Sequence, residues 1–233
     1  MLVLYNVLLL IGVILGLPFI IPRIILSEKR HQTVLQRLGL TSLPESLSLV
    51  SDPERIWIHA LSVGEVLSAV PLVKEVANRF GKNNVVFSAS TKTGFDIANK
   101  RLSEDVDAIF FFPYDFIFSI KRVLSKVRPQ LVIIVETDIW PNFLAETKAR
   151  RVPVLLVNAR LSEKSFAGYM RLAVFTRSVF SEFSKICAQT PEDARPAPFH
   201  EYPALPADHR GRKHAPGRGN PSFRSPDPDQ KGA

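Results

Sequence analysis

Cysteine is nearly missing from this chain. Cys187 stands alone among 233 residues, which excludes an internal disulfide and suits a reducing compartment. Charge is missing from the start: residues 1–22, MLVLYNVLLLIGVILGLPFIIP, hold no charged side chain. Valine and isoleucine are missing from the end: residues 195–233 contain neither, while eight of those 39 residues are proline. Neither a Walker A pattern nor a G-x-G-x-x-G fingerprint occurs, so the usual glycine-rich phosphate loops are excluded. Three of the five histidines, His200, His209 and His214, lie in the proline-rich end without metal-site spacing, so no metal is assigned.

What remains is ample for one sizeable domain. Hydrophobic residues make up 46% of the chain and charged residues 22%. The net charge is +8 and the sequence pI is about 9.8. That balance suits nucleic acid, an anionic membrane or a phosphorylated substrate. No nucleic-acid recognition motif is present, and the apolar start argues against such a partner.

Residues 1–26 read as a membrane-anchor helix. The uncharged run is long enough to cross a hydrocarbon core of roughly 30 Å. It lacks a basic leader and a small-residue cleavage site, unlike a removed signal peptide. Pro18 and Pro22 are candidate kink or stop positions. Arg23, Lys29, Arg30 and Arg37 follow it and place the rest of the chain on the cytoplasmic side. Spanning the bilayer and lying in one leaflet both stand open, beside a buried helix of a soluble protein.

The body, residues 27–194, alternates strand-like and helix-like segments. Apolar runs occur at RIWIHA (55–60), NVVFSAS (84–90), DAIFFF (107–112), QLVIIVE (130–136), VPVLLVN (152–158) and SKICAQ (184–189). Between the first two, Val66, Val70, Val73, Ala77 and Phe80 recur at helical spacing. Continuous apolar strands separated by helices predict an α/β fold with a Rossmann-like parallel sheet. Ligands in such sheets sit beyond the carboxyl ends of the strands, so residues there are examined first.

After the first strand comes HALSVGEV. Glu65 is placed at a helix N-terminus over the ligand crevice, where it serves as general base or simply as a capping group. His59 reads as a hydrogen-bonded strand-end residue. Ser62 caps the helix or binds a ligand, and Gly64 lies between them. After the second strand, SASTKTG offers Thr91, Thr93 and Gly94, either for an anion or sugar or only as a cap. The fourth strand ends in ETDIWPN, placing Glu136 and Asp138 at the crevice, with Trp140 and Pro141 starting the next helix. The fifth ends in NARLSEKS, with Asn158 and with Arg160 as a candidate clamp for phosphate or carboxylate.

TPEDA (190–194) is a well-formed helix start, yet no helical pattern follows. Residues 195–233 read as disordered or frame-shifted: either an ordinary disordered tail, or a reading frame that departs from a longer parent near Arg195.

Taken in order, the apolar N-terminus, WIHALSVGEV, STKTG, FPYD, ETDIWPN, NARLSEKS and AQTPEDA resemble the 3-deoxy-D-manno-octulosonic acid (Kdo) transferases of lipopolysaccharide synthesis. The resemblance covers residues 1 to about 194. It implies the N-terminal domain of a two-domain GT-B glycosyltransferase. Such enzymes move Kdo from CMP-Kdo to the lipid A precursor, lipid IVA, at the cytoplasmic face of the inner membrane. It implies Glu65 as the general base and Glu136 as a second acid that holds or orients the acceptor. Ser62, Gly64, Thr91, Thr93, Gly94, Asn158 and Arg160 would line the substrate cleft. It implies inversion at the anomeric carbon, with no metal in the catalytic step and no cofactor beyond the donor. Asp138 stands where the family more often has glutamate. The family's donor-binding domain has no counterpart after residue 194, so little transfer is expected from this chain alone. Two alternatives accompany this reading: a non-catalytic, membrane-anchored acceptor-binding fragment, or another GT-B enzyme with a different nucleotide sugar.

Overall fold

The computed structural model describes residues 2–41, 43–44, 47, 55–136, 139–159 and 178–189. The expectations for Asp138, for Arg160, for the helix start at 190–194 and for the tail 195–233 lie outside the described residues.

Six parallel strands form one sheet: β1 (Arg55–Ala60), β2 (Val85–Ala89), β3 (Ala108–Phe111), β4 (Pro129–Val135), β5 (Val154–Ala159) and β6 (Lys185–Ala188). All six apolar runs of the sequence appear, each within two residues of its expected bounds. The spatial order is β3-β2-β1-β4-β5-β6. The chain therefore winds outward from β1 in one direction, returns, and winds outward from β4 in the other. The reversal falls between β1 and β4, and in open parallel sheets the ligand crevice lies at that point, beyond the carboxyl ends of the strands.

The helices divide between the two faces accordingly. Helices α3 (Val63–Phe80) and α4 (Lys92–Leu102) cover one face, packing Val66, Ala69, Val73, Ala98 and Leu102 on Ile56, Ile58, Val85 and Phe87. Helices α5 (Ile117–Val127) and α6 (Pro141–Ala149) cover the other. There the alternate residues of the strands meet an aromatic cluster: Trp57 lies 5.2 Å from both Phe110 and Phe143, and Phe112 lies 5.0 Å from Phe143. Trp57 and Phe143 are fully buried, and the indole N–H of Trp57 is satisfied by Ser88 Oγ at 2.7 Å. Burial on both faces is why the strands read as unbroken apolar runs.

Two details depart from the sequence pattern. Phe80 was placed on the apolar face of α3, but it is half exposed at the helix end, beneath the Arg79 guanidinium. Pro71 sits inside α3 without breaking it. It lies on the solvent side, so the carbonyl it leaves unbonded, on exposed Leu67, can take water instead.

The N-terminal run forms α1 (Leu2–Ile25), which continues through Pro18 and Pro22 rather than ending there. Its window Leu2–Phe19 has a mean hydropathy of 2.4 and none of it is buried. A two-residue turn leads into α2 (Glu28–Arg37), whose last residue returns to the domain. Arg37 Nε donates to the carbonyl of Phe112 at 2.8 Å and its guanidinium lies over the Tyr114 ring at 4.2 Å.

Candidate functional site

The crevice is built from the ends of β1, β2, β4 and β5. His59 pairs with Ile134 across β1 and β4. Leu61 and Glu136 are the first residues after those two strands. The two acids singled out in the sequence thus leave adjacent strands at the mouth of the switch point.

Glu65 lies in the first turn of α3, after the N-cap Ser62. It is 9% exposed, and both carboxylate oxygens are held. Oε2 accepts the Leu61 N–H at 2.6 Å and Oε1 accepts the Ser62 hydroxyl at 3.0 Å. Ser62 is therefore not a conventional cap, because its hydroxyl orients the glutamate instead of bonding the helix amides. A carboxylate here also meets the positive end of the helix dipole. Each oxygen keeps a further lone pair, so a substrate hydroxyl can bond without displacing these donors.

Leu61 is the residue that sequence reasoning missed. Its N–H holds Glu65, and its carbonyl accepts the N–H of Thr91 at 3.1 Å. The backbone of one residue thereby joins the two loops. Thr91 caps α4, accepting the Gly94 N–H on its hydroxyl at 3.0 Å. Gly94 is buried against this junction: a Cβ there would meet Thr91 Oγ1 at 2.8 Å and Leu61 O at 3.4 Å. Its missing side chain has a packing reason. Gly64 differs, since a Cβ there would meet nothing within 4 Å and its backbone is helical. Among the described residues no contact requires glycine at that point. Thr93, in the first turn of α4, is exposed.

Glu136 has φ 63 and Asn158 has φ 55, both in the left-handed region. Asparagine tolerates this region, whereas glutamate is held there at a cost of about 1 kcal/mol. The Glu136 N–H bonds the Val157 carbonyl at 2.8 Å, so the two strained positions adjoin. Asn158 sits where the β5–β6 register shifts, between Leu156 and Ala159. Trp140 follows the acid, partly buried, with its ring 5.8 Å from Phe112.

His59 is buried and structural, as its strand-end position suggests. Its Nδ1 lies 2.9 Å from Ser88 Oγ and 3.1 Å from the Ser88 carbonyl, and its ring stacks on Phe112 at 4.0 Å. Cys187 is half buried, and that burial pushes its thiol pKa up, away from nucleophilic use. Among the described residues no group of three or more His, Cys, Asp or Glu side chains could hold a metal ion.

Two quoted motifs acquire a role that the sequence did not assign. Asp115, of FPYD, is buried and caps α6, accepting the N–H groups of Asn142 at 3.0 Å and Phe143 at 2.9 Å. Asn142, of WPN, donates from Nδ2 to the Asp115 carbonyl at 2.5 Å. Tyr5 and Asn6 of α1 join the same cluster: Tyr5 donates to Asp115 Oδ2 at 2.9 Å, and Asn6 pairs amide to amide with Asn142 at 2.8 Å. Two polar residues in an otherwise apolar run were the available signal.

Comparison with known proteins agrees with this architecture. The family model described as 3-Deoxy-D-manno-octulosonic-acid transferase (kdotransferase) matches residues 32–200. A 3-deoxy-D-manno-octulosonic acid transferase of Haemophilus influenzae is 34% identical over 188 residues, covering 79% of this chain and 42% of that protein. A bifunctional glycosyltransferase/methyltransferase of Fusobacterium nucleatum is 30% identical, covering 81% of this chain and 28% of that protein. A Rickettsia felis 3-deoxy-D-manno-octulosonic acid transferase is 33% identical over 138 residues, 59% of this chain and 29% of that protein. The chain spans less than half the length of these curated relatives. With a family match over most of its length and its crevice acids at a Rossmann-type switch point, the chain belongs to the 3-deoxy-D-manno-octulosonic acid transferase family.

Proposed function

We propose that this chain forms the acceptor-binding half of an enzyme that transfers Kdo from CMP-Kdo to the lipid A precursor at the cytoplasmic face of the inner membrane. The observation that carries this reading is the shared edge. Helix α1 and the switch-point crevice both meet the carboxyl ends of the strands, α1 through Asp115 and Asn142, the crevice through Glu65 and Glu136. A lipid acceptor needs that arrangement, because its sugar must reach the base while its acyl chains stay in the bilayer.

Glu65 is the base. It takes the proton of an acceptor hydroxyl, whose oxygen attacks the anomeric carbon of Kdo while the bond to the CMP phosphate breaks, with inversion. The Leu61 N–H and the Ser62 hydroxyl hold its carboxylate in one orientation, which favours transfer by positioning. Glu136 binds and orients the acceptor, and the cost of its left-handed backbone supports a role beyond packing. Gly64 lets the acceptor approach the N-terminus of α3. Ser62, Thr91, Thr93, Gly94 and Asn158 line the substrate cleft. No metal and no cofactor beyond the donor enters the step.

The test fuses the chain to the carboxyl-terminal remainder of the Haemophilus influenzae relative and measures labelled Kdo transfer to lipid A precursor. Transfer that Glu65→Gln reduces at least a hundredfold, without weakening acceptor binding, supports the reading. Transfer unchanged by Glu65→Gln refutes the assignment of the base. Saturable acceptor binding with no transfer by the fusion favours the non-catalytic alternative.

A further inference from the structure

The geometry points to a one-sided anchor: α1 lies in a single leaflet, with both of its ends on the domain's side of the bilayer. This rests on the reading of α1 as a membrane segment and adds its topology.

The start of α1 and the far end of α2 are both tied to one short loop, residues 112–116, the former also to Asn142 of α6. The first turn of α1 is held through Tyr5 to Asp115 at 2.9 Å and through the paired amides of Asn6 and Asn142 at 2.8 Å. Its other end continues through a two-residue turn into α2, which closes on the same loop. There Arg37 bonds the Phe112 carbonyl at 2.8 Å, and the Tyr114 N–H bonds the Arg37 carbonyl at 3.0 Å.

A spanning α1 cannot satisfy both ends. At 24 residues α1 is about 36 Å long, whereas α2, with ten residues, is about 15 Å. If α1 crossed a core of roughly 30 Å with Tyr5 held at Asp115, α2 would be too short to return across it to residues 112–114. If it crossed with α2 kept in place, Tyr5 and Asn6 would leave their partners, the buried Asp115 and Asn142. Lying flat keeps every one of these bonds.

The sides of α1 agree with that placement. Tyr5, Leu9, Val13 and Gly16 form a half-buried stripe, while Val3, Leu8, Leu15 and Phe19 on other sides are 59–77% exposed. The exposed apolar surface does not stop at α1. The loop that holds it runs directly into α5, whose first residues, Ile117 and Phe118, are 40% and 48% exposed. Exposed Lys121 and Arg122 follow one turn later, with the Arg122 guanidinium 5.7 Å from the Phe118 ring. An aromatic side chain at acyl depth beside cations at headgroup level is the pattern of a surface that rests on an anionic leaflet. The leaflet therefore covers α1 and the start of α5 together.

Two labelling experiments in a Cys187→Ser background test this. In the first, a cysteine tag precedes Met1 and a second variant carries Lys100→Cys, an exposed domain site. A membrane-impermeant maleimide should label both in inverted inner-membrane vesicles and neither in spheroplasts. Labelling of the tag from the spheroplast side, with Lys100→Cys labelled only in inverted vesicles, overturns the one-sided anchor but leaves membrane attachment standing. Failure of the full chain to float with vesicles of phosphatidylethanolamine and phosphatidylglycerol overturns both. In the second, an environment-sensitive fluorophore at Phe118→Cys should shift to the blue when the protein binds those vesicles. An unshifted spectrum with the protein bound refutes the contact at α5.

Discussion

Asp115→Asn is the sharpest perturbation of the anchor. Asp115 is 4% exposed, and its carboxylate accepts bonds from Tyr5 and Asn142 on Oδ2 and from the Phe143 N–H on Oδ1, all between 2.9 and 3.0 Å. Asparagine keeps one acceptor oxygen and turns an NH₂ toward at least one of these donors. Losing one charge-assisted bond in a buried site costs about 1.5–3 kcal/mol. Losing the negative charge at the N-terminus of α6 adds about 0.3–1 kcal/mol. The sum is about 2–4 kcal/mol, which for a domain of this size lowers the thermal midpoint by roughly 4–16 °C. The measurement is thermal unfolding of the full chain in detergent, followed by circular dichroism. Tyr5→Phe in parallel should cost about 1 kcal/mol in the parent and nearly nothing after Asp115→Ala, since its acceptor is then gone. A loss below about 0.5 kcal/mol for Asp115→Asn, or additive effects in the cycle, would refute the latch.

Four further substitutions separate packing from binding. Gly64→Ala should leave the fold intact or stabilise it by up to about 1 kcal/mol, because its Cβ meets open space in a helix, yet weaken acceptor binding in a lipid titration. Gly94→Ala should instead destabilise by about 1–2 kcal/mol in urea unfolding, since its Cβ meets Thr91 Oγ1 at 2.8 Å and disrupts the cap of α4. Glu136→Gly should be nearly neutral in stability, where an ordinary residue would lose about 1 kcal/mol on becoming glycine, because relief at φ 63 offsets the added chain entropy; transfer by the fusion should fall. Phe143→Ala should cost about 3–5 kcal/mol by calorimetry, since the ring is fully buried between Trp57 and Phe112.

The fold was legible because it depends on local repeats. Strands buried on both faces are apolar over most of their length, as RIWIHA, VVFSA and PQLVIIV are, so their positions follow from composition. The helix after HALSV was legible for a similar reason, apart from Phe80, which lies past the end of the packed stripe. The candidate acids were legible because residues after parallel strands face the crevice. Their neighbours were not. Leu61 acts through its peptide group, which no side-chain pattern reveals, and the glycines of SVGE and STKTG look alike in sequence although only Gly94 is packed.

The sequence by itself determined the order of elements, the apolar first helix and the family, because each rests on residue types at short separations. Tertiary structure alone decided which distant residues meet. Tyr5 and Asp115 are 110 positions apart, and Asn6 and Asn142 are 136 apart. A run of 22 uncharged residues is equally suited to crossing a bilayer and to lying in one leaflet. The choice turns on what its ends can bond to, and those partners are brought there by the winding of the sheet.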